Sequence, residues 1–156
     1  MVLRSAINED LNRLISWIKD QEACRLWAGS FVRFPLTLGG LKADIKFSEE
    51  NTFSMINDSG ELIGLGQLLE KPNGRIHMAR LIVSPTQRGK GFGYLLCRLL
   101  IVEGIKRFGD VYFSLNVYSN NTTAVKLYRK LGFNPKSAPS DSVSDEEIIY
   151  MILSPV

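Results

Sequence analysis

The segment Arg88-Gly89-Lys90-Gly91-Phe92-Gly93 constrains this chain more than any other. Ahead of it runs an extended stretch, Arg75 to Val83, which Pro85 ends. Behind it, Leu95, Leu96, Leu99, Leu100 and Val102 mark a helix over Gly91 to Arg107. Glycines in such a strand–loop–helix junction let main-chain N–H groups converge on one point. The helix start adds N–H groups without intrahelical acceptors and a partial positive charge. Together they make an anion site suited to a phosphate or pyrophosphate, with Arg88 and Lys90 at its rim. A Walker loop needs Gly-Lys-Ser/Thr before its helix, and none is present. The dinucleotide fingerprint G-x-G-x-x-G has its last glycine one place later than Gly93, and it follows the opening strand of a βαβ unit. A plain glycine-rich turn is the structural alternative, and the loop alone does not name its ligand.

The rest of the chain supplies a sheet for that junction. A short strand starts at Val2, and Asn8 or Ser5 caps a first helix through Leu11, Leu14, Ile15 and Ile18. Gln21 to Trp27 is helical, and Phe34 before Pro35 is biased away from helix. Thr37 caps a weak helix to Ile45, with Gly39 and Gly40 against it. Strands over Thr52–Ile56, Leu62–Leu69 and Arg75–Val83 are joined by the turns Asn57-Asp58-Ser59-Gly60 and Lys71-Pro72-Asn73-Gly74, an antiparallel meander. Gly64 and Gly66 inside the second of these mark a bulge or a close backbone approach. Val111–Val117 is a strand, Asn121–Leu131 a helix closed by Gly132 in a left-handed cap, and Glu147–Leu153 a last strand. The order predicts a mixed α/β fold, a single domain over residues 1–156 whose sheet turns from antiparallel to partly parallel.

Composition removes several classes. A net charge of +3 with scattered Lys and Arg does not argue for nucleic acid, yet suits an anionic small ligand. The longest apolar stretch, Tyr94 to Val102, contains Arg98 and is too short to span a bilayer. Asn8, Glu9 and Asp10 interrupt any signal-peptide layout. Cys24 and Cys97 sit in apolar patterns without metal-ligand spacing, so they read as buried thiols in a reducing cytoplasm, and no metal is expected.

Past the loop, Asn121, Ala124, Tyr128 and Gly132-Phe133 spell N-x-x-A-x-x-x-Y-x-x-x-G-F. That pattern after R-x-x-G-x-G, with Val83-Ser84-Pro85 before the loop, resembles the GNAT superfamily of N-acetyltransferases over Ile76 to Phe133. The resemblance implies a central splayed mixed sheet of six to seven strands flanked by about four helices. The strands Arg75–Val83 and Val111–Val117 would part at their C-terminal ends as a V. It implies acetyl-CoA as co-substrate, its pantetheine arm pairing with Leu81, Ile82 and Val83. The pyrophosphate would lie on the amides of Arg88, Gly89, Lys90, Gly91, Phe92 and Gly93, with Asn121, Ala124 and Tyr128 beside the arm. A splayed edge exposes unpaired N–H and C=O groups that an amide-bearing ligand satisfies.

The implied chemistry is direct acetyl transfer to a primary amine of a small molecule or peptide. The amine must be neutral, the oxyanion needs donors such as the backbone N–H near Ile82 or Val83, and the leaving thiolate needs a proton. Tyr128 matches the family's general acid; the alternative is a core tyrosine. Several family members carry a glutamate six residues before the position of Val83, where this chain has His77, its only histidine. An imidazole of near-neutral pKa relays a proton there, or His77 is structural. Arg80 falls on the opposite face of a regular strand, as a sheet-surface residue or a substrate contact. Trp27, Phe31 and Phe34 are either acceptor-pocket walls or core. Ser137 to Asp145 is an acceptor-side loop, its acidic groups up to Glu147 weakly attracting a cationic amine, or a solvated one. A protein N-terminal or lysine acetyltransferase of the ribosomal-protein-acetylating type, and a non-catalytic acyl-CoA sensor, are the competing readings. Dimers are common in the family, so a homodimer is open to this chain.

Overall fold

The computed structural model describes residues 1–141 and 146–155. In chain order the elements are β1 (Val2–Ser5), α1 (Asn8–Trp17), α2 (Gln21–Ala28), α3 (Leu38–Asp44), β2 (Thr52–Ile56), β3 (Leu62–Lys71), β4 (Arg75–Val83), a 3-10 turn (Pro85–Gln87), α4 (Phe92–Phe108), β5 (Tyr112–Tyr118), α5 (Thr122–Leu131), β6 (Asn134–Pro135) and β7 (Ile148–Leu153). The strands form one sheet in the order β1-β2-β3-β4-β5-β7-β6. All neighbours are antiparallel except β4 and β5, the parallel pair in its interior.

Two local details differ from the sequence reading. The cap of α1 is Ile7, whose N–H donates to the Asp10 carboxylate at 3.0 Å. Asn8 is already helical, and the Ser5 hydroxyl donates to the Glu49 carbonyl instead. The two-residue β6, paired to β7 through Asn134↔Ile152 and Pro135↔Met151, is too short for an alternation to announce it.

Apolar side chains fill both sides of the sheet. On one side α4 and α5 cover Phe53, Met78, Phe113, Leu115 and Met151. Gly104 lets α4 approach β5 closely, since a Cβ there would lie 2.6 Å from the Phe113 ring. The other side packs α1, α2 and α3 through Leu11, Leu14, Cys24 and Leu41 against Leu65 and Ile82. Both cysteines are buried and unbridged.

The centre of the sheet is where regularity fails. β4 and β5 pair only at Arg75↔Tyr112, Ile76↔Phe113 and His77↔Ser114. Beyond that rung the β4 edge that faces β5 is unpaired, while its other edge stays bonded to β3 through Leu65↔Ile82 and Gly64↔Val83. Between Gln67↔Ala79 and Leu65↔Ile82, Gly66 alone opposes both Arg80 and Leu81, a β-bulge with Arg80 at φ 53°. Gly66 leaves room there for the Leu81 side chain, whose Cδ2 would lie 2.6 Å from a Cβ.

Candidate active site

The parting of β4 and β5 opens a cleft of about 810 Å³. Its walls are the free edge of β4, the C-terminal half of β5 from Leu115 to Tyr118, α2 and the start of α5. At the fork, His77 Nδ1 and Ser114 Oγ are 2.8 Å apart. The same hydroxyl accepts from Arg75 Nη1 at 3.0 Å, and Arg75 Nη2 donates to both oxygens of Asp141 at 2.9 and 2.7 Å. Arg75 is buried, so this pairing anchors the segment before β7 to the base of the fork. Burial lowers the His77 pKa to about 4, assisted by the positive charges of Arg75, Lys71 and Arg80. The ring is therefore neutral at physiological pH, well below the near-neutral pKa expected of an exposed imidazole.

Tyr128 stands on α5 at the opposite wall. Its ring meets Phe133 edge-on at 6.1 Å between centroids. The residue is half-buried, at the edge of the cleft. Desolvation by the surrounding protein, with the neighbouring Cys97, pushes its pKa well above the usual phenol range. The hydroxyl therefore stays protonated and available as a hydrogen-bond donor. A smaller pocket of about 100 Å³, bounded by Gly93, Leu96, Cys97 and Leu127, meets the cleft at Tyr128, Ala124 and Leu81–Val83.

The loop before α4 has the conformation its glycines predict. Gly89 and Gly91 are left-handed at φ 77° and 83°, and Gly91 caps the helix with a free first turn of amides behind it. Arg88 Nε donates to the Val83 carbonyl at 3.1 Å, and Lys90 Nζ to Gln87 Oε1 at 3.2 Å. Both cations thus stay at the rim of the helix start.

The model of the acetyltransferase (GNAT) family matches residues 14–133. The chain belongs to that family. It is 29% identical over 140 residues to the uncharacterized N-acetyltransferase YobR of Bacillus subtilis (strain 168), covering 86% of this chain and 55% of that protein. It is also 28% identical over 64 residues to the spermine/spermidine N(1)-acetyltransferase of the same organism, over 41% of this chain and 42% of that one. The chain thus spans about half the length of the curated relatives it matches. Among solved structures, the spermidine N-acetyltransferase of Vibrio cholerae in complex with CoA and spermine superposes with a TM-score of 0.78 at 20% identity, over 97% of this chain and 94% of that one. The ribosomal-protein-alanine N-acetyltransferase of Brucella melitensis gives 0.74 at 16% identity, over 99% of both chains. These likenesses establish the fold.

Within this family frame the predicted positions divide. Leu81, Ile82, Val83, Arg88, Asn121, Ala124 and Tyr128 line the cleft, and Gly93 lines the small pocket beside it. Gly89, Lys90, Gly91 and Phe92 continue the loop from Arg88 outside the lining. Asn121 caps α5, its Oδ1 accepting from Ala124 N at 3.2 Å, which leaves its amide nitrogen for a ligand. Trp27 and Phe31 line the cleft, and Phe31 is 68% exposed. Phe34 instead is partly buried against the cluster that α1, α2 and α3 form, outside the lining. Arg80 is not on the far face: the bulge turns it into the same cleft as His77, where its Nη1 donates to Gln67 Oε1 at 2.7 Å. Of the acidic groups expected to draw in a cation, Asp141 is engaged by Arg75 and Glu147 by Arg25 at 3.7 Å, while Glu146 is exposed. Ser142 to Asp145 of that loop lie outside the described residues.

Sequence reasoning missed Arg75, Ser114 and Asn116. The signal existed for two of them: Ser114 and Asn116 alternate with Phe113, Leu115 and Val117, so one face of β5 is polar. Arg75 carried none, because only its partners on β5 and before β7 make its burial tolerable.

Proposed function

We propose that this chain binds acetyl-CoA and transfers its acetyl group directly to a primary amine of a small molecule or peptide. The observation that carries this reading is the fork: an unpaired β4 edge at Leu81–Val83, flanked by a helix start rich in free amides and by a protonated Tyr128. The residues present fit the coenzyme. Main-chain groups along β4 that no strand pairs suit the amides of a pantetheine arm, the Val83 carbonyl being held by Arg88. The left-handed loop and the first turn of α4 suit a diphosphate.

Bound acetyl-CoA supplies a thioester, whose acyl carbon gains a C–N bond to the amine and loses its C–S bond to the thiol. This chain's groups manage the protons. Tyr128 gives its phenolic proton or a hydrogen bond to the departing sulfur. In the tautomer whose Nδ1–H donates to Ser114 Oγ, His77 presents Nε2 as an acceptor to the amine, or to a water carrying the amine's proton away. Backbone N–H groups near Ile82 and Val83 face the developing oxyanion.

The test is release of free thiol from acetyl-CoA across a panel of small amines and peptides. It is read beside protection against heat by CoA and perturbation of the 88–93 amide resonances. Turnover with small amines is the expected result. Turnover with peptides alone would move the chain to protein amines. Tight CoA binding without turnover on any amine would make it a sensor. No binding at millimolar CoA would end the reading.

A further inference from the structure

Three buried polar atoms have no hydrogen-bond partner among the described residues: Trp27 Nε1, Arg80 Nε and Asn116 Oδ1. All three residues line the cleft. Two of the atoms are donors, one on a permanent cation, and the third is an acceptor. A buried donor without an acceptor costs stability unless a ligand supplies one.

The charges around them are one-sided. Among the described residues, the acceptor side of the cleft carries Lys19, Lys71, Arg75 and Arg80 against Asp20 and Asp141. Asp141 is consumed by Arg75, and Asp20 Oδ1 caps α2 through Ala23 N at 2.8 Å. Arg80 forms no ion pair among the described residues; its bonded partner is the neutral Gln67 amide. The nearest acid that affects it, Asp44, is already bonded by Arg33 at 3.0 Å. A polycation entering here would meet uncompensated like charge, which costs binding.

Resting on the transferase reading, the geometry points to an acceptor that carries a carboxylate close to its primary amine, of the free amino acid class. The carboxylate oxygens take the Trp27 and Arg80 N–H groups, and the amine nitrogen donates to Asn116 Oδ1. That assignment satisfies all three orphan atoms with one small ligand and neutralises Arg80. A polyamine would satisfy the Asn116 acceptor alone and leave both donors unpaired.

The experiment is thiol release from acetyl-CoA with a set of free amino acids, each beside its carboxamide, and with spermidine. The expected result is kcat/KM at least about tenfold higher for the best amino acid than for its carboxamide, with spermidine weaker than either. Arg80→Gln should remove most of that ratio by raising KM for the amino acid, while KM for acetyl-CoA stays unchanged. Trp27→Phe keeps a smaller aromatic ring and removes the donor, so it should lower the ratio several-fold in a folded protein. A ratio near one, a preference for spermidine, or no turnover of any member overturns the inference. So does a raised KM for acetyl-CoA in Arg80→Gln, which would give these donors to the coenzyme. CoA protection against heat reads the transferase assignment separately.

Discussion

His77 Nδ1 lies 2.8 Å from Ser114 Oγ on the last rung that joins β4 to β5. The hydroxyl also receives Arg75 Nη1, so one serine fixes the ring and the guanidinium at the base of the cleft. Ser114→Ala would leave two buried nitrogens unpaired. Unfolding in urea should show a loss of about 1–3 kcal/mol, with CoA affinity unchanged. An unaltered midpoint would mean that water replaces the hydroxyl without cost.

The depressed His77 pKa makes stability depend on pH. Between about 4 and the ordinary 6.5, the unfolded chain holds a proton on this ring that the folded chain does not. Stability therefore rises with pH through that window. The contribution is complete above about 6.5 and lost as pH falls to about 4, at most roughly 3 kcal/mol. His77→Gln should flatten this part of the stability–pH curve. The same displacement places any His77 limb of the rate profile near pH 4. Wild type and His77→Gln should therefore share the shape of kcat/KM above pH 6, and a wild-type inflection near 6.5 absent from the variant would contradict a buried neutral ring.

Tyr128→Phe removes the hydroxyl and keeps the edge-on contact with Phe133. Expected is a fall in kcat of about tenfold or more with the dissociation constant for CoA nearly intact. An unchanged kcat would remove the phenol from the chemistry.

Gly91 and Gly104 separate two uses of glycine. At Gly91 φ is 83° and no heavy atom lies near a would-be Cβ, so Gly91→Ala suffers only the backbone conformation, about 1–2 kcal/mol. Because that conformation aims the α4 amides, CoA affinity should drop several-fold, measured by calorimetry.

At Gly104 the backbone is ordinary but a Cβ would lie 2.6 Å from Phe113. Gly104→Ala should cost about 1–3 kcal/mol in thermal or urea unfolding as the helix is pushed from the sheet. Its CoA affinity should match wild type, because the contact is on the covered side, away from the loop.

Much of this architecture was legible in local sequence. The loop glycines announce their left-handed residues, Gly132 closes α5 at φ 105° as its position suggests, and Arg75–Val83 has the bounds its turns and Pro85 imply. Each follows from a steric or hydrogen-bonding rule acting over a few neighbouring residues, which the chain carries wherever it goes. The site's polar arrangement was decided elsewhere. Arg80 shares the cleft with His77 because Gly66, on a different strand, permits a bulge that reverses the alternation. Arg75 is buried because Ser114, 39 residues away, and Asp141, 66 away, complete its hydrogen bonds. Phe34 sits outside the cleft lining for the same kind of reason, its contact with the apolar cluster of α1, α2 and α3. Pairings across such separations depend on which strands become neighbours, and only the folded sheet settles that.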